Sequence, residues 1–210
     1  MPILNLFMNI LAIGSHPDDV CGGCFGTLCK LKRDGNNLFY LILTLGEDGG
    51  NRWERKREQE EVAQLLNVNV TFAGLPSAHL NNDSGRATIQ AIEQAILKCK
   101  PRVIFSHSIN DRHQDHRLVN RATISACRFY QGSIYFYEGF SSLNTFNPTY
   151  YSRIDNFFEE KLRALSLFKT QQEKFYIKPE VVSALATYRA AQSGYIGKAE
   201  AFEVGKIIVE

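Results

Sequence analysis

The sequence predicts an α/β fold in three layers, a mostly parallel sheet between two layers of helices, on three observations. Strand-like and helix-like stretches alternate as far as residue 137, the pattern of repeated strand-helix-strand units with right-handed crossovers. Two of the strand-like runs, residues 10–14 and 103–106, are short and apolar but for a terminal Gly or Ser, as strands covered on both faces are. Each gives way to a polar cluster, Ser15-His16-Pro17-Asp18-Asp19 after the first and Asp111-Arg112-His113-Gln114-Asp115-His116 after the second.

Taken in order, residues 10–14 are rich in branched side chains and stop at Gly14. Gly22, Gly23 and Gly26 read as a tight turn, followed by a helix over residues 27–33 that ends at Gly35. Residues 38–44 form a second strand, closed by the glycine-rich loop 46–50. The run 52–61 mixes charges as a solvated helix does, and Val62, Ala63, Leu65 and Leu66 give it an apolar face. Residues 68–72 are a short third strand. Ile89, Ile92, Ala95 and Ile96 recur at helical spacing within residues 88–98, and Pro101 ends that helix before the fourth strand. Residues 118–130 read as a helix and residues 133–137 as a fifth strand. Beyond them, residues 141–151 look like a loop, residues 159–168, 183–191 and 200–205 look helical, and 207–209 form a last strand. This tail is read as a C-terminal cap on the same unit, so residues 1–210 are expected to be a single domain with core strand order 3-2-1-4-5.

With 210 residues, 44% of them hydrophobic, the chain can fill one sizeable core. A net charge of +2 gives no footprint for nucleic acid, and no apolar run is long enough for a transmembrane segment. Residues 1–7 carry neither a basic region nor a cleavage site and read as an extension. Five cysteines, an odd number without framework spacing, predict a reducing, cytoplasmic location. Oligomeric state, homo-oligomer included, is left open.

The expected order reverses between strands one and four, which carry the two polar clusters, and ligands of open α/β sheets bind at such a reversal. Zinc in hydrolytic sites takes three ligands from His and Asp/Glu and keeps room for water. His16, Asp19 and His116 supply that set, with Fe2+ as a substitute. Asp18 is left as general base, His113, in protonated form, as the group facing a developing negative charge, and Asp115 as the carboxylate that orients an imidazole.

Ser15-His16-Pro17-Asp18-Asp19 and His113-Gln114-Asp115-His116 resemble the two signatures of the PIG-L/LmbE-like zinc-dependent N-deacetylases. Thr44-Leu45-Gly46-Glu47, Arg55 with Glu58, Ile154-Asp155 with Lys161, Phe168-Lys169-Thr170-Gln171 and Ala199-Glu200-Ala201-Phe202 extend the likeness over nearly the whole chain. The resemblance implies a Rossmann-like fold, Zn2+ on His16, Asp19 and His116, removal of acetyl from N-acetylglucosamine-type sugars, and substrate contact by Arg55. Val20 stands where the family usually has a glutamate.

Other readings weigh less. Cys21-Gly22-Gly23-Cys24 has the spacing of a thiol-disulfide motif but sits among turn glycines. No Gly-x-Gly-x-x-Gly follows the first strand, which speaks against a dinucleotide. An iron oxygenase triad would leave Asp18 idle. A metal-containing sugar-binding protein without turnover is favoured only by Val20. His79 and His107 are read as loop and structural histidines, and Phe140, Phe146, Tyr150 and Tyr151 as a wall for a sugar.

Overall fold

The computed structural model describes residues 7–77 and 84–209. Its strands are β1 (Asn9–Gly14), β2 (Asn37–Thr44), β3 (Asn69–Leu75), β4 (Val103–His107), β5 (Ser133–Tyr137), β6 (Tyr150–Arg153) and β7 (Ala199–Lys206). Its helices are α1 (Asp19–Arg33), α2 (Arg52–Gln64), α3 (Ser84–Cys99), α4 (Gln114–Ala126), α5 (Phe158–Ser166) and α6 (Pro179–Gln192). Among the described residues the sheet runs β3-β2-β1-β4-β5-β7-β6. The expected 3-2-1-4-5 core is there, all parallel, and β7 and β6 add an antiparallel edge.

The two faces of the sheet carry separate apolar layers because strand side chains alternate. Ile10, Ala12, Tyr40 and Ile42 face α1 and α2 together with Val20, Leu28 and Ala63. Leu11, Ile13, Leu41 and Leu43 face α3 and α4 with Ile92 and Val119. A third cluster joins Phe25 of α1 to Phe158 and Leu165 of α5 and Val182 and Ala186 of α6, so the C-terminal helices lie over α1. β1 pairs with β4 over Ile10–Ala12 against Val103–Phe105, so both strands release their following loops at one end of the sheet.

Three expectations are corrected. The glycines at 22, 23 and 26 are no turn: α1 begins at Asp19 and runs through them, with a break at Cys24, where φ is −145° and ψ 16°. A Cβ on Gly23 would lie 2.2 Å from the Tyr137 ring, and one on Gly26 2.8 Å from Ile154, so close packing demands glycine there. Residues 200–205 are strand, because antiparallel pairing to β5 and β6 outweighs the helical preference of Ala and Glu. Residues 207–209 form no strand; Ile208 is held only by hydrogen bonds with the Ser133 hydroxyl. His79 lies outside the described residues.

Candidate active site

β1 stops at Gly14, and its continuation is fixed through the Ser15 backbone. The Ser15 N–H donates to Nε2 of His107 at 3.0 Å, while its carbonyl accepts from the Thr44 N–H at 2.9 Å and hydroxyl at 3.0 Å. The chain then turns at Asp18, whose φ of 96° and ψ of −29° are left-handed, a conformation that Asp tolerates better than most residues. Asp18 occupies the N-cap position of α1, yet its side chain makes no cap hydrogen bond. Its carboxyl turns instead toward the cavity and to Arg55 Nη2, 3.3 Å away.

Asp19 is the centre of the cluster. One carboxylate oxygen lies 3.2 Å from Nε2 of His116, and the other 3.3 Å from both Nδ1 of His16 and Nε2 of His107. The second cluster reaches this point on the first turn of α4. His113 caps that helix, its Nδ1 accepting from the Asp115 N–H at 3.2 Å. Asp115 Oδ2 lies 3.1 Å from Nε2 of His16, and Asp111 Oδ2 lies 3.0 Å from Nδ1 of His116. Each of these two imidazoles thus has a carboxylate behind it, the arrangement that fixes ring orientation in metal sites.

The donors fit a divalent cation. His16, His113 and His116 have ring nitrogens within 4.8 Å of one another, and so do Asp19, His107 and His116 in one carboxylate oxygen and two ring nitrogens. More telling is the acceptor conflict at His107. Its Nε2 takes the Ser15 N–H and so carries no proton, yet it faces an Asp19 oxygen at 3.3 Å. Two lone pairs at that separation repel, and a positive charge among the same atoms removes the conflict.

The titration behaviour follows from burial and these partners. Burial works against charge on His16 and His116, but Asp19 beside both, aided by Asp115 and Asp111 respectively, raises them to about 9 and about 10. Burial, then the charge of His116, lowers His107 to about 4. Burial likewise lowers His113, helped by His116 and His16. The His113 Nδ1 accepts from the Asp115 N–H, which leaves Nε2 as the nitrogen able to donate. Burial raises Asp18 to about 7 against the pull of Arg55, whereas the imidazoles overcome burial at Asp19 and hold it well below the usual carboxylate range.

α2 fixes the neighbouring loops with three buried residues on one face. Arg55 donates to the carbonyls of Gly46 and Pro17 at 2.7 and 2.9 Å, Gln59 accepts from the Asp18 N–H at 3.3 Å, and Glu58 accepts from the Thr170 N–H and hydroxyl at 2.8 and 2.6 Å. Arg55 lines the cavity, but these bonds aim its guanidinium at the chain's own loops. Val20 is buried in the core beneath β1.

A cavity of about 510 Å³ opens over the cluster, within the range of small-molecule sites. Of the four aromatics expected to form a wall, Phe140 lines it, while Phe146 is buried against Arg189 and Tyr150 and Tyr151 lie on β6. Two aromatics the sequence reading did not single out, Phe175 and Tyr176, line it instead.

Comparison with known proteins assigns the chain to a family. Residues 11–127 match the PIG-L family, described as GlcNAc-PI de-N-acetylase. The chain is 33% identical to the uncharacterized deacetylase YaiS of Escherichia coli K12 over 77% of this chain and 90% of that protein. It is 25% identical to the diacetylchitobiose deacetylase of Thermococcus kodakarensis, over 89% of this chain and 79% of the relative. Among solved structures, GalB, the 4-carboxy-2-hydroxymuconate hydratase of Pseudomonas putida KT2440, superimposes with a TM-score of 0.83 at 17% identity, covering 97% of this chain and 98% of that one. That last likeness is one of fold. The fold is an α/β sheet with its polar cluster at the strand ends, and the chain belongs to the PIG-L family.

Proposed function

We propose that the protein is a metal-dependent hydrolase that removes the N-acetyl group from an N-acetylglucosamine-type sugar or conjugate. The observation that carries the reading is the Asp18 carboxyl, released from its capping role and facing the cavity beside the knot of Asp19 and three imidazoles. The fold does not choose the chemistry, since a hydratase shares it. The deacetylases among the relatives support amide hydrolysis.

His16, Asp19 and His116 would hold the cation, and two nitrogens with one carboxylate suit Zn2+ first and Fe2+ as a replacement. When bound, such an ion polarises a carbonyl and acidifies water. Asp18, raised to about 7, takes the proton of the attacking water near neutral pH and returns it to the leaving amine. His113 offers its Nε2 proton to the oxygen on which negative charge develops. Asp115 and Asp111 hold the His16 and His116 rings, and Arg55, which also lines the cavity, holds the Asp18 loop.

The chain works as one unit over residues 1–210 on this reading, because the cap strands extend the core sheet. Five free, buried cysteines suit a reducing cytoplasm, and no helix among the described residues is long and apolar enough to cross a membrane. The test is acetate release from a panel of N-acetylated amino sugars, with and without chelator. Turnover lost on chelation and restored by Zn2+ is expected; bound metal without turnover on any of them would favour a binding protein.

A further inference from the structure

The cavity has an open side and a closed one. Asp48, Arg112, Gln114, Lys174 and Phe175 are exposed along its mouth, whereas Gly23, His107, His116 and Tyr137 are buried at its inner end. The path from Asp18 and Asp19 toward that end is bare of side chains, because Gly22 and Gly23 stand one helical turn further along α1. Two rings fill the room that the glycines leave. A Cβ at position 23 would lie 2.2 Å from the Tyr137 ring, and one at position 22 would lie 2.5 Å from the Phe140 ring. Tyr137 is pinned, its hydroxyl donating to the Ile13 carbonyl at 2.7 Å. Phe140 follows Gly139, which packs beside Asp111 and His116, and Tyr176 stacks on it with centroids 5.2 Å apart at 27°.

Gly22, Gly23 and Phe140 also line a second cavity of about 20 Å³, room for about one water. Val182, Leu185 and Ala186 of α6 give it an aliphatic wall. The charged groups around it are closed on one another, Arg189 Nε donating to Glu138 at 2.8 Å and Lys161 Nζ to Glu200 at 2.6 Å. The Phe140 ring thus belongs to the wall common to both cavities, with unfilled space on its far side.

An amide whose carbonyl sits at Asp18 and Asp19 has two arms of unequal size. The amino sugar needs the open side, so the acyl chain is the arm that points toward Gly22, Gly23 and Phe140. We propose that Phe140 sets the length of acyl group that the protein accepts: the ring leaves room for acetyl and shuts longer chains out of the second cavity. This rests on the deacetylase reading and adds a determinant of acyl specificity to it. Phe140 acts by its bulk and takes no part in proton transfer.

The experiment measures kcat/KM of the zinc-loaded protein for glucosamine carrying an N-acetyl, N-propanoyl or N-butanoyl group, in the wild type, Phe140→Ala and Phe140→Leu. The ratio between two substrates within one protein does not depend on the folded fraction, so a destabilised variant still reports. One methylene too many in a closed apolar pocket is worth about 10- to 200-fold, and the wild type should lose at least about tenfold between acetyl and butanoyl. Phe140→Ala should raise the butanoyl-to-acetyl ratio by about tenfold or more, and Phe140→Leu by less. Refilling the second cavity, with Ala186→Leu in the Phe140→Ala background, should take the gain back, which a general loosening of the site would not do. A wild type that turns over butanoyl as well as acetyl, or a ratio unchanged in both Phe140 variants, would overturn the proposal and leave the deacetylase reading standing. A gain that survives Ala186→Leu would overturn it too, because the extra room would lie elsewhere. If the wild type turns over none of the three, the deacetylase reading falls and this determinant with it.

Discussion

Two carboxylates act on α1, Glu200 buried and Asp19 partly so, and the contrast between them separates a candidate functional cluster from a structural one. Glu200, on β7, enters the break at Cys24 and is saturated by fixed donors: the N–H groups of Gly26 and Thr27 at 3.0 and 2.7 Å, the Thr27 hydroxyl at 2.6 Å and Lys161 Nζ at 2.6 Å. Lys161 also donates to the Gly22 carbonyl at 2.7 Å, so one ion pair satisfies both ends of the broken helix. Asp19, at the start of the same helix, has only the His16 N–H at 2.6 Å as a fixed donor and is otherwise ringed by imidazole nitrogens, one of them an acceptor. The first arrangement is complete without any ligand. The second is the cluster whose donors suit a cation.

The largest effect that would test this contrast is on turnover. Asp18→Asn removes a cavity-facing carboxyl beside the knot that lies outside the proposed ligand set, and kcat is expected to fall by about 10²- to 10⁴-fold. Metal content by elemental analysis should be unchanged, because Asp18 is not among the donors around Asp19. Loss of metal with activity retained would exchange the roles of Asp18 and Asp19.

The structural carboxylate should respond in the opposite sense. Glu200→Ala leaves Lys161 buried without its partner, and removing one member of a buried ion pair costs about 3–5 kcal/mol. Urea unfolding should show that loss, while zinc affinity per folded molecule stays within about twofold, since no Glu200 contact reaches a donor. A collapse of zinc affinity in the folded variant would show that the break aims Asp19, and the contrast would fail.

The cluster around Asp19 was legible because its residues sit in two local patterns, each an apolar run that turns abruptly polar, and the sheet order then brings them together. What escaped reading depends on distant partners. The glycines of α1 look like a turn until the rings of Phe140 and Tyr137 arrive from the far side of the sheet reversal. β7 has helix-forming residues and becomes a strand only between β5 and β6. The sequence gives no sign of the partner of His107, because that partner is the backbone of Ser15. Phe175 and Tyr176 lie in a short turn with no periodicity to mark them.

A smaller, graded effect comes from pH. In the metal-free protein His16 and His116 are raised above the ordinary 6.5 to about 9 and about 10. Their protonated forms therefore stabilise the fold fully below pH ~6.5, and that contribution is lost as pH rises through about 9 to 10, where the folded state releases its extra protons. Metal-free protein should accordingly lose thermal stability from neutral to alkaline pH. Zinc, which needs the deprotonated rings, should flatten the profile and bind more weakly as pH falls. A metal-free profile that is flat over the same range would mean that Asp19 does not hold these rings charged.

The smallest effect expected concerns the stretch of α1 between the two carboxylate contacts. Cys21 and Cys24 are buried, and burial pushes both thiols well above their usual value, with Glu200 adding its charge at Cys24. The thiolate is the reactive form, so neither should react with a thiol reagent near neutral pH until the chain unfolds. Replacing both, Cys21→Ala with Cys24→Ala, should cost about 1 kcal/mol of stability each and leave metal content and turnover unchanged. The reagent is best applied to native and urea-unfolded protein in parallel, with the labelled positions read by mass spectrometry. Rapid labelling of the native pair, or a disulfide between them that forms under mild oxidation, would restore a redox role to this helix and make its middle a second reactive centre.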